Sequence, residues 1–325
     1  MTYQQFISEW NAPTDRILVH TSGSTGKPKP MWVEKRRMVA SARLTCDFLG
    51  LRQGDTALLC MSLDYIAGKM VAVRALVRGL RLIIVKPSGH PLKGLTEPPT
   101  FAAMVPMQVY NSIHDPQERE ILRGIKHLII GGGAIDKSLE TELRLMPNAV
   151  WSTYGMTETL SHIALRRVNG KDASLWYEPF RSVSVCLNPT DGCLVIDAPE
   201  VCGHPLKTND IAELSADGRK FRIIGRKDNV ICSGGIKIHI EEVESALASH
   251  MPCPFVITKK RDEKFGEAVV LLLECSPSSA ASLLEKARNI CTGHLPQYWQ
   301  PKHYATTPHI PMTETGKPRR AEIER

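Results

Sequence analysis

Short apolar runs alternate with amphipathic segments over the first half of the chain. Apolar runs without internal alternation predict strands that are buried on both faces of a sheet. Between them, apolar residues recur at every third or fourth position, the spacing of one helix face. The predicted strands are 17–19, 56–61, 82–85, 101–105, 128–130 and 149–153, and the predicted helices are 34–49, 65–77, 118–123 and 137–146. Strands that alternate with helices predict a parallel, doubly wound α/β sheet.

The pattern changes after Leu160, where pairs of strand-like runs flank turn residues. Residues 182–186 and 193–196 surround an Asn-Pro-Thr-Asp-Gly turn, and residues 211–214 and 221–224 surround Ala-Asp-Gly. Such pairs predict hairpins, and therefore a small antiparallel unit.

The residues from Lys227 onward are predicted to form a compact α+β unit. Its predicted helices begin near 241 and cover 282–291, and its predicted strands are 255–258 and 268–273. We therefore predict two domains, a core of residues 1–226 and a C-terminal domain of residues 227–325.

Composition narrows the class of protein without identifying a function. The 325 residues are 42% hydrophobic and 23% charged, with a formal net charge of +7. Because no basic run carries interleaved aromatics, we predict anionic small molecules rather than nucleic acid as partners. The nine cysteines are scattered, without a C-x-x-C pair, and no signal peptide precedes them. These features predict a cytoplasmic protein, and no apolar run reaches the roughly 18 residues that span a bilayer.

One loop, His20 to Lys29, has the residues of a phosphate-binding site. Glycines let the backbone approach a ligand, successive N–H groups form an anion-binding concavity, and hydroxyls and lysines add donors and charge. It is not a Walker loop, because prolines follow where that motif opens a helix. A solvated Ser/Gly linker is the alternative. The candidate ligand-binding residues are Thr21, Ser22, Gly23, Ser24, Thr25, Gly26 and Lys29.

Two further segments follow predicted strands, where ligands gather in open α/β sheets. In the first, Gly132, Gly133 and Ala134 would let a flat ring approach the backbone, although a tight strand-to-helix turn explains them equally well.

The second segment is Tyr154-Gly155-Met156-Thr157-Glu158. Here the tyrosine offers an aromatic face to a base and the threonine a hydroxyl to a phosphate. The glutamate offers an oxygen ligand suited to Mg²⁺. The alternative is a Tyr-Gly turn with a capping threonine.

The loop and the Tyr154 segment resemble the two signature motifs of the adenylate-forming superfamily, which includes acyl- and aryl-CoA synthetases, peptide-synthetase adenylation domains and luciferases. The resemblance implies that Tyr154 packs on adenine, and that Thr157 and Glu158 handle the α-phosphate and Mg²⁺ of ATP. It also implies the fold of these enzymes.

Later segments match the same superfamily in order. Asp210 matches the aspartate that binds the ribose hydroxyls, although Asn209 replaces the usual glycine before it. Arg226 matches an arginine that reaches ribose and phosphate, and Asp228 lies at the hinge position. Lys237 matches a basic residue that faces the active site in a second conformation.

Near the C-terminus, Lys317 matches the catalytic lysine of the family. The resemblance implies two half-reactions. A carboxylate attacks the α-phosphate of ATP and releases pyrophosphate, and a thiol such as CoA then displaces AMP. Rotation of residues 227–325 about Asp228 would exchange Lys317 for Lys237 between the two steps.

The chain also departs from the family. About twenty residues precede the phosphate loop, where members usually have well over a hundred, so a shortened N-terminal region is expected. Its loss would expose surface that is usually covered, which predicts either a homo-oligomer or an impaired activity. Tyr65 occupies the position of the aromatic gate of the thiol tunnel, with Asp64 replacing an aromatic residue.

The short spacings between motifs resemble those of the o-succinylbenzoate–CoA ligases of menaquinone synthesis. Their substrate has a second carboxylate, which Lys69, one turn beyond Tyr65, could bind. A solvated Lys69 is the alternative. Transfer of another acid to CoA or to a carrier protein, or nucleotide binding without catalysis, remain alternative functions.

Overall fold

The computed structural model describes residues 1–20, 30–312 and 318–323. Its largest sheet has seven strands in the order β4-β3-β5-β6-β7-β8-β9. Strands β3 to β7 run parallel with β4, and β8 and β9 continue the sheet in antiparallel fashion. The strands are β3 (Thr56–Leu59), β4 (Arg81–Ile84), β5 (Phe101–Met104), β6 (His127–Ile130), β7 (Ala149–Gly155), β8 (His162–Arg167) and β9 (Glu178–Pro179).

Both faces of this sheet are covered by helices, so the doubly wound α/β prediction is confirmed. Neighbouring strand residues separate into two cores, with Ala57 in one and Leu58 in the other, because side chains alternate along a strand. The first core also contains α2 (Lys35–Leu49) and α3 (Ile66–Arg78), and the second contains α4 (Pro106–His114), α5 (Pro116–Gly124) and α6 (Lys137–Leu143).

Two antiparallel units flank the sheet. The predicted hairpins form a four-stranded sheet of β10 (Ser184–Leu187), β11 (Cys193–Asp197), β12 (Leu206–Leu214) and β13 (Phe221–Arg226). Near the N-terminus, α1 (Tyr3–Asn11) precedes a separate two-stranded pair, β1 (Arg16–His20) and β2 (Pro30–Glu34). The loop predicted to bind phosphate connects these two strands.

The C-terminal residues form a five-stranded sheet with helices, and a hydrophobic core of its own extends from Ile231 to Leu295. The division into domains after residue 226, and any movement between them, stay predictions. The elements are β14 (Val230–Ser233), β15 (Ile236–His239), α7 (Ile240–Leu247), β16 (Phe255–Asp262), β17 (Gly266–Glu274), α8 (Ala280–His294), β18 (His303–Thr307) and α9 (Arg320–Ile323).

Some elements differ from the predictions for identifiable reasons. Helix α6 ends at Leu143 rather than Met146, because Met146 precedes Pro147 and a residue before proline avoids helical angles. Helices α4 and α9 and strands β2, β8, β9, β14, β15 and β18 were not predicted. In the part of the chain that the structure describes, no helix is long and apolar enough to cross a membrane.

A buried carboxylate ties one long connection to the second core. Glu118 is almost fully buried on α5. It accepts hydrogen bonds from Ser112 Oγ at 2.8 Å and from the Leu92 backbone N–H at 3.2 Å, and its other oxygen lies 2.7 Å from His90 Nδ1. These contacts hold the segment after β4 against α4 and α5.

Candidate functional site

A cavity lies at the carboxyl ends of the parallel strands. Its volume is about 460 Å³, and residues that follow β3, β5, β6 and β7 line it. This is the edge where open α/β sheets bind ligands, because the strands end there and loops diverge. Most of the lining is apolar, from Met61, Ile66, Met104, Val105 and Met156, so the cavity suits an organic molecule with few charges.

The structure brings several predicted site residues together in this lining. They come from three separate stretches of the sequence: Tyr65, Gly132, Gly155, Met156 and Thr157. His20, the last residue before the phosphate loop, lines the same cavity. The loop itself and Lys317 lie outside the described residues, so Thr21, Ser22, Gly23, Ser24, Thr25, Gly26, Lys29 and Lys317 stay predictions.

A second group of predicted residues is joined by hydrogen bonds beside the cavity. The Tyr154 hydroxyl donates to Asp210 Oδ2 at 2.6 Å, and Arg226 Nη1 donates to Asp210 Oδ1 at 3.3 Å. Arg226 Nη2 also pairs with Asp228 Oδ2 at 2.9 Å. Burial and the Asp210 carboxylate raise the pKa of Tyr154, so its hydroxyl stays protonated and able to donate. Residues from β7, β12 and β13 therefore share one network.

Two glycines shape the turns around the cavity. Gly132 has φ of +78°, a conformation that side chains disfavour, and it lies with Gly133 and Ala134 in the turn after β6. At Gly155 an added methyl group would overlap the Cα of His162 and the carbonyl oxygen of Ser161. The absence of a side chain there lets β7 and β8 approach each other closely.

Glu158 has the properties of a ligand for Mg²⁺. It is exposed in the 3₁₀ turn Thr157–Thr159, next to Thr157, whose side chain lines the cavity. Mg²⁺ usually takes one or two protein carboxylates and keeps several waters, so a single accessible carboxylate beside the cavity fits the ion.

Lys69 and Lys237 lie outside both the cavity lining and the hydrogen-bond network around Asp210. Lys69 is neither solvated nor a lining residue: it is buried, and its Nζ pairs with Glu9 at 3.2 Å beside the ring of Phe6. The suggested contact between Lys69 and a substrate carboxylate is therefore corrected, because this lysine joins α3 to α1. Lys237 is exposed on β15.

Sequence reasoning missed a different cation, Arg74. It lies on α3, is 2% exposed, and lines the cavity. Its Nη2 donates to Ser161 Oγ at 2.5 Å, and among the described residues its Nε has no hydrogen-bond partner. Burial lowers the pKa of this guanidinium to about 10, so it is still charged at neutral pH. An arginine within the apolar run Met70–Ala75 was the signal that could have revealed it.

Ser161 and His162 were missed as well. Both line the cavity just before or within β8. They follow Leu160, whose φ of +65° is the one positive value among described residues other than glycine. Such backbone strain concentrates at ligand sites.

Comparison with known proteins supplies the family. The sequence profile described as "AMP-binding enzyme" matches residues 4–197. The chain belongs to the AMP-binding enzyme family. It is also similar to the 2-succinylbenzoate–CoA ligase of Geobacillus sp. (strain WCH70), with 25% identity over 94% of this chain and 68% of the ligase. These matches make this AMP-binding protein an enzyme, an AMP-forming acid–CoA ligase.

Solved structures share the fold. An acyl-CoA synthetase (AMP-forming)/AMP-acid ligase II-like protein from Dyadobacter fermentans is 31% identical, with a TM-score of 0.66 over 98% of this chain and 91% of its own. The o-succinylbenzoate coenzyme A synthetase of Bacillus subtilis, in complex with ATP and magnesium ion, is 22% identical, with a TM-score of 0.75 over 94% of this chain and 69% of its own. The predicted adenylate-forming fold is confirmed.

Proposed function

We propose that this AMP-binding enzyme joins an aromatic acid with a second carboxylate to CoA, and that the acid is o-succinylbenzoate, an intermediate of menaquinone synthesis. Relatives named as ligases for this acid match most of the chain. ATP, Mg²⁺ and CoA are the other reactants.

The choice of acid rests on the position of Arg74, a buried cation at the border of the cavity. A buried cation is costly unless an anion pairs with it, and among the described residues Arg74 forms no ion pair with a carboxylate. The guanidinium borders an apolar cavity of about 460 Å³. An acid with an apolar body and a distal carboxylate would fill the cavity and neutralise the charge. A bidentate arginine–carboxylate pair would also fix its orientation.

The nucleotide is proposed to bind along the network beside the cavity. Asp210 would accept hydrogen bonds from the ribose, with Tyr154 and Arg226 holding its carboxylate in place. Glu158 would hold Mg²⁺, which neutralises phosphate charge when it is bound. The 21–29 loop and Thr157 would donate to the phosphates, because this chemistry depends mainly on positioning and electrostatics.

The remaining predicted roles concern the order of the two steps. Lys317 would stabilise charge while the carboxylate attacks the α-phosphate, and would leave before the thiol enters past Tyr65. Rotation about Asp228, a hinge movement, would bring Lys237 to the site instead. Mutation Lys317→Ala should then abolish adenylate formation and spare thioester formation from preformed adenylate, which two separate half-reaction assays would measure.

A panel of acids tests the proposed substrate. Pyrophosphate release and product mass are measured for aryl acids with and without a second carboxylate, with CoA or a carrier protein as acceptor. Arg74→Met, which replaces the cation with an apolar chain of similar length, should raise KM for the dicarboxylic acid and leave KM for ATP unchanged. Lys69→Met is the matched control on the same helix, since Lys69 does not line the cavity.

Three results would contradict the proposal. A wild-type enzyme without preference for the second carboxylate would exclude the acid, and an absence of pyrophosphate release with any acid would favour nucleotide binding without catalysis. Transfer to a carrier protein but not to CoA would indicate the alternative acceptor.

A cytoplasmic location is part of the proposal. All nine cysteines are free, as expected of a protein in a reducing compartment. A homo-oligomer also stays a proposal, which light scattering of the purified protein would test.

A further inference from the structure

A chain of hydrogen bonds runs from Arg74 into the protein behind the cavity. Arg74 Nη2 donates to Ser161 Oγ, which lies 3.2 Å from His162 Nδ1. On the other side of the ring, His162 Nε2 lies 3.0 Å from Thr45 Oγ1. The Thr45 hydroxyl donates to the carbonyl oxygen of Ser41, one turn earlier on α2, at 3.2 Å. Thr45 is fully buried and does not line the cavity.

We assign the direction of each bond by counting the hydrogens that the groups carry. The single hydroxyl hydrogen of Thr45 is used by Ser41, so Thr45 Oγ1 accepts from His162 Nε2–H. A neutral imidazole carries one N–H, so Nδ1 has no hydrogen and accepts from the Ser161 hydroxyl. The oxygen of Ser161 is then left to accept from Arg74. Each hydrogen in the chain is used once, and all bonds run in one direction, from Arg74 to the carbonyl oxygen of Ser41.

We propose that Thr45 and His162 are positioning residues, which hold the Arg74 guanidinium toward the second carboxylate of the acid. This inference rests on the proposed function. Removal of the Thr45 oxygen would free the ring to place its hydrogen on Nδ1. The Ser161 hydroxyl could then no longer donate to the ring, and its hydrogen would turn toward the cation and weaken the anchor of Nη2.

Surrounding groups keep the ring neutral and in place. His162 is buried beside the Arg74 charge, and both the burial and that positive charge oppose a second proton on the ring. The ring of Phe180 lies 5.6 Å away on another side. The side-chain-free backbone at Gly155 packs against the backbone of His162. Both ring nitrogens are therefore held at hydrogen-bonding distance from their partners.

The test compares Thr45→Val, which keeps volume and removes the hydroxyl, with Thr45→Ser, which keeps the hydroxyl. We expect Thr45→Val to raise KM for o-succinylbenzoate about tenfold, equivalent to about 1.4 kcal/mol, with kcat and KM for ATP within about twofold of wild type. Thr45→Ser should retain the wild-type KM. Equal KM values in the two variants, or a parallel rise in KM for ATP, would overturn the proposal.

A second measurement separates this inference from the choice of acid. Nitrogen NMR of the histidine rings in the wild-type enzyme should show the Nε2–H tautomer for one ring, assigned through its loss in His162→Gln, and Thr45→Val should shift that resonance. An Nδ1–H or doubly protonated ring at neutral pH would refute the hydrogen-bond chain. If the enzyme does not prefer a second carboxylate while the NMR result holds, the proposed substrate fails and the chain of bonds stands.

Discussion

The neutral ring of His162 predicts a pH dependence of stability that one substitution should remove. Burial and the neighbouring Arg74 charge hold the pKa of His162 well below its ordinary value. An unfolded histidine titrates near 6.5, so below that pH the unfolded chain binds a proton that the folded chain does not. Stability from this group is therefore complete above about pH 6.5 and falls as the pH decreases.

The size of the effect follows from proton counting. Between pH 6 and pH 5, residue 162 carries on average about 0.9 proton in the unfolded chain and fewer in the folded chain, where its pKa is lower. With about 1.4 kcal/mol per proton per pH unit, the free energy of unfolding should decrease over that interval because of this residue alone, with an upper limit of about 1.2 kcal/mol.

This change in the free energy of unfolding is measured by urea unfolding of wild type, His162→Gln and Thr45→Ser at several pH values. The glutamine variant should be less stable at pH 7 but should lose less stability than wild type between pH 6 and pH 5, with a difference of at most about 1.2 kcal/mol. Thr45→Ser keeps the ring and should follow wild type. Identical slopes for wild type and His162→Gln would show that the buried ring accepts a proton in the folded state, and the argument for its neutrality would fail.

Three further substitutions test other parts of the structure. Gly155→Ala should lower the free energy of unfolding by about 1–3 kcal/mol, measured by heat or urea, because the added methyl group overlaps the backbone of β8. The control Gly293→Ala, which has open space near the end of α8, should be neutral or stabilising. Equal effects of the two substitutions would contradict the close approach of β7 and β8. Glu118→Ala should destabilise the protein by about 2–4 kcal/mol since its three donors lose their acceptor, and a loss below about 0.5 kcal/mol would exclude that role. Tyr154→Phe, compared with wild type by AMP titration, should weaken nucleotide binding by roughly tenfold, because Asp210 loses a hydrogen bond worth about 1.5 kcal/mol; unchanged affinity would separate this network from the nucleotide.

Short sequence patterns were sufficient to predict an element where its side chains could be buried in only one way. The strands of the large sheet are continuous apolar runs because both faces are covered, and the hairpins of the antiparallel sheet were visible from Asp-Gly turns. Strands such as β14 and β18 were not predicted because they mix apolar with polar residues and are only partly buried. Their pairing with β17 is a long-range event that no short window contains.

The sequence by itself determined the main strands and helices, the order of the signature motifs and hence the family, because these depend on residue type and spacing along the chain. Only the tertiary structure decided which cation borders the cavity. Lys69 and Arg74 are five positions apart on α3, which places them about 140° apart around the helix axis. One side chain therefore turns toward Glu9 of α1 and the other toward Ser161, residues that the fold alone brings to opposite sides of that helix.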